Sequence, residues 1–136
     1  MTVKMTGKYL GDKKVELLHE QSGTVLRTAA PLDNNGDGSS FSPTDLLAVS
    51  FPTCVLTIIS IAAEQKDFSV EGATFSVEKH MIASPRRLGK LVVRFRLPAA
   101  LDERERKICE SAVQSCPVHG SLHPDIELDV EFSYTN

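Results

Sequence analysis

The order of patterned segments predicts an α+β fold, with short strands, one long apolar helix, two long strands, a second helix and a final strand around a largely antiparallel sheet. Three observations carry this. An apolar run from Leu46 to Ile61 follows strong helix-start residues. Leu91, Val93, Phe95 and Leu97 fall on one face of 90–97 with Arg94 and Arg96 on the other, and 125–134 alternates apolar and polar residues throughout, the signature of half-buried strands. One breaker segment, PLDNNGDGSSFS (31–42), separates an N-terminal group of strand-like runs from everything after it.

In chain order, Val15 to Leu18 and Thr24 to Thr28 read as antiparallel strands, with Gly11-Asp12 as a turn before them. After the breaker, Ser42 suits a helix N-cap, Pro43 the first helical position and Asp45 the positive end of the helix dipole. The helix should run to about Glu64. It is apolar around most of its circumference, so it is expected to be the buried central one. Ser50, Thr53, Thr57, Ser60 and Glu64 recur at three- and four-residue steps, a narrow polar stripe with Cys54 at its edge. Strands are expected over Ser69 to Met81 and Lys90 to Leu97, joined by SPRRLG (84–89). Asp102 caps a second helix that Pro117 stops, with Leu101, Ile108, Ala112 and Val113 on its inner face. The chain closes on a strand from Asp125 to Tyr134.

The 136 residues, 41% hydrophobic and 24% charged, suit one domain spanning 1–136. A net charge of −3 without basic clusters argues against nucleic acid. The opening MTVKMTGKYL has no apolar h-region, so no secretory signal is read there. The longest apolar stretch, Phe51 to Ala63, is interrupted by Pro52, Thr53, Thr57 and Ser60 and is expected to be too short and too polar to cross a bilayer. A cytoplasmic location, no membrane and no cofactor are expected. The three cysteines, Cys54, Cys109 and Cys116, are an odd number in such a chain, which disfavours a disulfide framework and leaves redox chemistry, metal binding or simple core packing.

A thiol that reduces a peroxide must ionise, sit in an apolar pocket and have a partner to capture its sulfenic acid. Cys54 lies in the most apolar segment, too deep in the helix for the dipole to activate it. Pro52, two residues earlier, removes a helical N–H. Cys116 falls at the end of the second helix, where movement is easier.

The segment FSPTDLLAVSFPTC (41–54) resembles the cysteine helix of the OsmC/Ohr hydroperoxide-reductase superfamily, in which a Ser/Asn-Pro opening precedes the cysteine by the spacing that Pro43 and Cys54 keep. CPVHGSL (116–122) resembles the family's CPVS or CPYS motif, and the SPRRLG turn and last strand are similar too. The resemblance implies an OsmC-like fold, an intertwined homodimer, and reduction of organic hydroperoxides, with a dithiol as reductant. It makes Cys54 the peroxidatic and Cys116 the resolving cysteine; Cys109 matches no family cysteine and reads as core. Where the family has Glu after the proline, this chain has Thr44 and then Asp45, which either takes over that carboxylate's role or only charges the helix start. For the family's activating arginine, Arg27 is the leading candidate, with Lys14, Arg86 and Arg87 as alternatives; a guanidinium both stabilises a thiolate and binds a peroxide. Two rival readings remain: a non-catalytic ligand-binding module of the same fold, and a zinc site from Cys116, His119 and His123 with Cys54 or Asp125.

Overall fold

The computed structural model describes all residues from Met1 to Asn136. It divides the chain into two compact units, residues 1–47 and 48–136.

The first unit is a three-stranded antiparallel sheet in the order β1 (Met5–Gly11), β2 (Lys14–His19), β3 (Thr24–Ala29). The β1–β2 turn lies one residue later than the sequence suggests. Its central residues, Asp12 and Lys13, both have positive φ (55° and 60°), the backbone of the hairpin turn whose twist matches the strands. Directly paired residues share a face, so Tyr9, Val15, Leu17 and Leu26 form one apolar side, and Lys8, Glu16 and Arg27 fall on the other. The breaker segment folds back on β3: Phe41 accepts the Ala29 N–H, and Gly36 passes so close to the Ala30 carbonyl that a Cβ would overlap it. A short 3-10 turn, Leu32–Asn34, lies within this loop.

Helix α1 (Pro43–Gln65) starts as expected, with Pro43 first. Ser42 Oγ accepts the Asp45 N–H at 3.1 Å while the Asp45 carboxylate accepts the Ser42 N–H at 2.8 Å, a reciprocal cap. It ends at Gln65, within a residue of the expected end, but the stretch Phe51 to Ala63 understated its apolar length: the 23 residues are long and apolar enough to cross a membrane. It is nonetheless a core helix, because Ala48, Phe51, Val55, Ile59 and Ala63 form one buried stripe. Only a third of its most apolar stretch is covered within the chain, so burial is confined to one face rather than surrounding the helix. On the exposed stripe Thr53, Thr57 and Ser60 turn their hydroxyls back onto the carbonyls of Val49, Thr53 and Thr57.

The second unit holds a sheet in the order β4 (Thr74–Ile82), β5 (Arg87–Leu97), β6 (Glu127–Tyr134). β4 starts five residues later than expected, since Ser69 Oγ takes the Glu71 N–H and Gly72 adopts φ +88°, which turns the chain there. The two sheets are separate, and β6 runs parallel to β5. Helices α2 (Glu103–Ser115) and α3 (Pro117–Ser121) lie between β5 and β6, and such a helical crossover returns the chain in the same direction. Strand alternation alone cannot show this. Asp102 caps α2 in a capping box with Glu105.

Leu91, Val93, Phe95 and Leu97 of β5 form the floor of a single core with Phe51, Val55 and Ile59 of α1, Leu101 just before α2, and Cys109 and Ala112 of α2. Each fully buried side chain of this size contributes about 1.5–3 kcal/mol. Phe95 stacks on Phe132 at 4.8 Å and meets Phe75 edge-on at 6.2 Å, which ties the three strands together. The opposite face of this sheet is charged, with Arg94 bridging Asp129 and Glu131.

Candidate active site

The site forms where α1 meets the junction of α2 and α3. Cys54 lies on α1, half-buried against the core, two residues beyond the buried Pro52. Proline has no N–H to give to the carbonyl of Ala48, so the helical ladder is interrupted one turn before the sulfur.

Cys116 is both the last cap of α2 and the first cap of α3. Its backbone is extended (φ −70°, ψ 122°), a conformation that neither helix continues. Pro117 takes the first position of α3, where a missing N–H costs nothing. Pro117 therefore does stop α2, and it also begins a short helix that the sequence reading treated as a plain turn. The signal was present: a capping side chain followed by proline marks a helix start. The Sγ of Cys116 accepts the His119 N–H at 3.4 Å, and the side chain is only 2% exposed.

The fold brings these two cysteines, 62 positions apart, into side-chain hydrogen-bonding contact. Burial is the main cause that pushes the Cys116 thiol up, and the hydrogen bond with Cys54 adds to it; the backbone N–H groups of His119 and Val118 work against both. All three cysteines are free thiols.

Cys109 takes no part in this contact. It is completely buried on the inner face of α2, and burial, with Glu110 and Glu105 nearby, pushes its thiol up to about 11. It is a core residue.

The remaining sequence candidates belong to the first unit or to the β4–β5 hairpin. Arg27 donates through Nε to Glu16 Oε2 at 3.0 Å, on a side chain 69% exposed. Lys14 pairs with Asp37 at 2.9 Å and with Asp12 at 3.5 Å, and Asp37 is held well below the usual carboxylate range by Lys14 and by Ser39. Asp45 is bound into the cap of α1, about two and a half turns before Cys54. Arg87 donates to the carbonyls of Ala83 and Pro85 within its own turn.

The histidines do not converge as zinc ligands. His119 sits in α3, half-buried, its ring 6.1 Å from that of Phe51. His123 is exposed and accepts the Asp125 N–H through Nδ1. No group of three or more Cys, His, Asp or Glu side chains is placed to hold a metal ion.

The family model described as OsmC-like protein matches residues 36–131. A crystal structure from Psychrobacter arcticus 273-4, of a protein assigned to osmotic stress induction and detoxification response, is 40% identical, with a TM-score of 0.91 over 97% of this chain and 96% of that one. An organic hydroperoxide resistance protein OsmC from Legionella pneumophila shares the fold at 18% identity, with a TM-score of 0.78 over 98% and 97% of the two chains. OhrB of Bacillus subtilis, another organic hydroperoxide resistance protein, does so at 14% identity, with a TM-score of 0.71 over 98% of each. No curated protein matches the chain.

Proposed function

The chain belongs to the OsmC-like protein family, and from that premise we propose that it is a thiol-dependent peroxidase that reduces organic hydroperoxides through a two-cysteine cycle. The Cys54 thiolate attacks the outer oxygen of ROOH and the O–O bond breaks. ROH leaves with a proton, and Cys54 becomes a sulfenic acid. The Cys116 sulfur then displaces that oxygen as water and forms a Cys54–Cys116 disulfide. A dithiol reductant returns both sulfurs to thiols and is itself oxidised to a disulfide.

The side-chain contact between Cys54 and Cys116 is the observation that carries this reading. It sets a half-buried thiol beside a fully buried one, as a cycle of attack by the first and resolution by the second requires. Arg27 is the proposed cation. Its guanidinium, here paired with Glu16, carries the permanent charge that would favour a thiolate. Asp45 acts through the helix cap. Residues 1–136 work as one OsmC-like domain in the cytoplasm, in an entwined homodimer.

Steady-state turnover tests the proposal. The purified protein should consume cumene hydroperoxide continuously with a dithiol as electron source. Consumption no faster than the reagents react alone would replace the peroxidase with the ligand-binding module of the same fold.

A further inference from the structure

We propose that His119 is a positioning residue for the resolving step, holding the Cys116 sulfur to the helix of Cys54 by its backbone on one side and its ring on the other. This rests on the two-cysteine reading above and names what fixes the geometry of its second step.

In that step Cys116 Sγ attacks the sulfur of the Cys54 sulfenic acid and the S–O bond breaks. Hydroxide leaves as water, taking the Cys116 proton. Such a bond closes only where the two side chains meet at a narrow range of separations and directions. Cys54 is fixed by its place in the middle of α1. Cys116 is not fixed in this way, because its extended backbone belongs to the regular turns of neither α2 nor α3. Its ties run forward into α3. The sulfur accepts the His119 N–H at 3.4 Å, and the Cys116 carbonyl accepts the Gly120 N–H at 3.2 Å. The sulfur therefore goes where α3 goes.

Helix α3 has five residues, too few to be held by its own hydrogen bonds, so its place depends on what its side chains touch. Val118 and Leu122 pack against the core cluster. His119 reaches a different element. Its ring centroid lies 6.1 Å from that of Phe51, with the planes tilted by 40°, an aromatic contact onto α1. Phe51 is fully buried and precedes Cys54 by three residues, so the two are neighbours on one turn of α1. His119 thus grips one sulfur by its N–H and the helix of the other by its ring. The serine that the resembled CPVS and CPYS motifs have at this position would offer the N–H without the ring.

Single-turnover oxidation of wild type, His119→Ala, His119→Ser and His119→Phe tests this. Val118 and Leu122 still seat α3 in each variant, and circular dichroism checks that each is folded. Reduced protein is mixed with one equivalent of cumene hydroperoxide, quenched at intervals into denaturant with N-ethylmaleimide and weighed intact. Of the three thiols, the sulfenic acid form leaves two to alkylate and the disulfide form one. His119→Ala and His119→Ser should form the sulfenic acid at the wild-type rate and close the disulfide about tenfold or more slowly, as small misplacements of reacting atoms do. His119→Phe keeps a ring and should close it near the wild-type rate. Closure at the wild-type rate in His119→Ala and His119→Ser overturns the proposal, and so does a His119→Phe variant as slow as they are. If hydroperoxide leaves all three wild-type thiols free, the peroxidase reading fails instead. The disulfide is then brought to equilibrium with a glutathione redox buffer, where His119→Ala should lower its equilibrium constant about tenfold, and an unchanged constant overturns the proposal on its own.

Discussion

The side chains of Cys54 and Cys116 are in contact, joining the middle of α1 to the junction of α2 and α3. One sulfur is partly open and the other sealed, and that difference organises the chemistry expected of the pair.

Replacing the cysteines one at a time should give unequal results. Cys54→Ser should abolish reaction with organic hydroperoxide. Cys116→Ser should consume about one equivalent and stall with Cys54 as an oxidised acid, because nothing resolves it. Cys109→Ser should turn over as wild type does. Stoichiometric peroxide assays with intact-mass measurement distinguish these cases. A loss with Cys109→Ser equal to that with Cys54→Ser would show that the wrong thiols have been assigned.

Arg27→Met should leave the fold intact and move the alkylation of Cys54 to higher pH, since the cation proposed to favour the thiolate is gone. Rates of iodoacetamide labelling against pH, read by mass spectrometry, measure this. A shift in Arg86→Met or Arg87→Met with none in Arg27→Met would place the activating charge on the β4–β5 hairpin.

Asp45→Ala removes the acceptor for the Ser42 N–H and should cost about 1 kcal/mol of stability, the usual worth of a helix cap. The peroxide-consumption rate below the melting transition should not change. A loss of kcat/KM by orders of magnitude with unchanged Tm would make Asp45 the functional replacement for the family's glutamate rather than a cap.

The buried thiol of Cys109 should make stability fall in base. Its pKa is raised to about 11 in the fold, so the native state holds the proton more tightly than the unfolded chain does. Its contribution is complete below the unfolded value of about 8.5 and is lost as pH rises from there through the folded value. Urea denaturation at a series of pH values should show this decline, of order 1–3 kcal/mol, and Cys109→Ala should flatten it. An equal decline in both proteins would assign the base sensitivity to other groups.

Homodimerisation is expected from the apolar surface that the chain leaves uncovered. On α1, Leu47 and Ile61 are each 46% exposed, and only a third of the helix's most apolar stretch is covered within the chain. A helix this apolar calls for a partner on its outer face. Light scattering at micromolar concentration should give twice the chain mass, and a monomer there would remove the entwined-dimer proposal.

Much of this molecule can be read from local pattern. Ser42, Pro43 and Asp45 mark the start of α1 because capping is a matter of three or four neighbouring residues. The alternation of Leu91, Val93, Phe95 and Leu97 identifies β5 because a strand's two faces follow directly from its pleat. Cys54 and Cys116 could be named from sequence because each lies in a segment resembling a family motif. What the sequence could not supply is non-local. The direction of β6 depends on the crossover through α2 and α3. The division into two sheets depends on which strand edges pair. The role of Pro117 depends on whether the chain after it curls again, which Cys116 permits by adopting an extended backbone between two helices. Above all, the contact between Cys116 and Cys54, and the burial of one sulfur but only half-burial of the other, exist only once the 61 intervening residues have folded to bring the two thiols together.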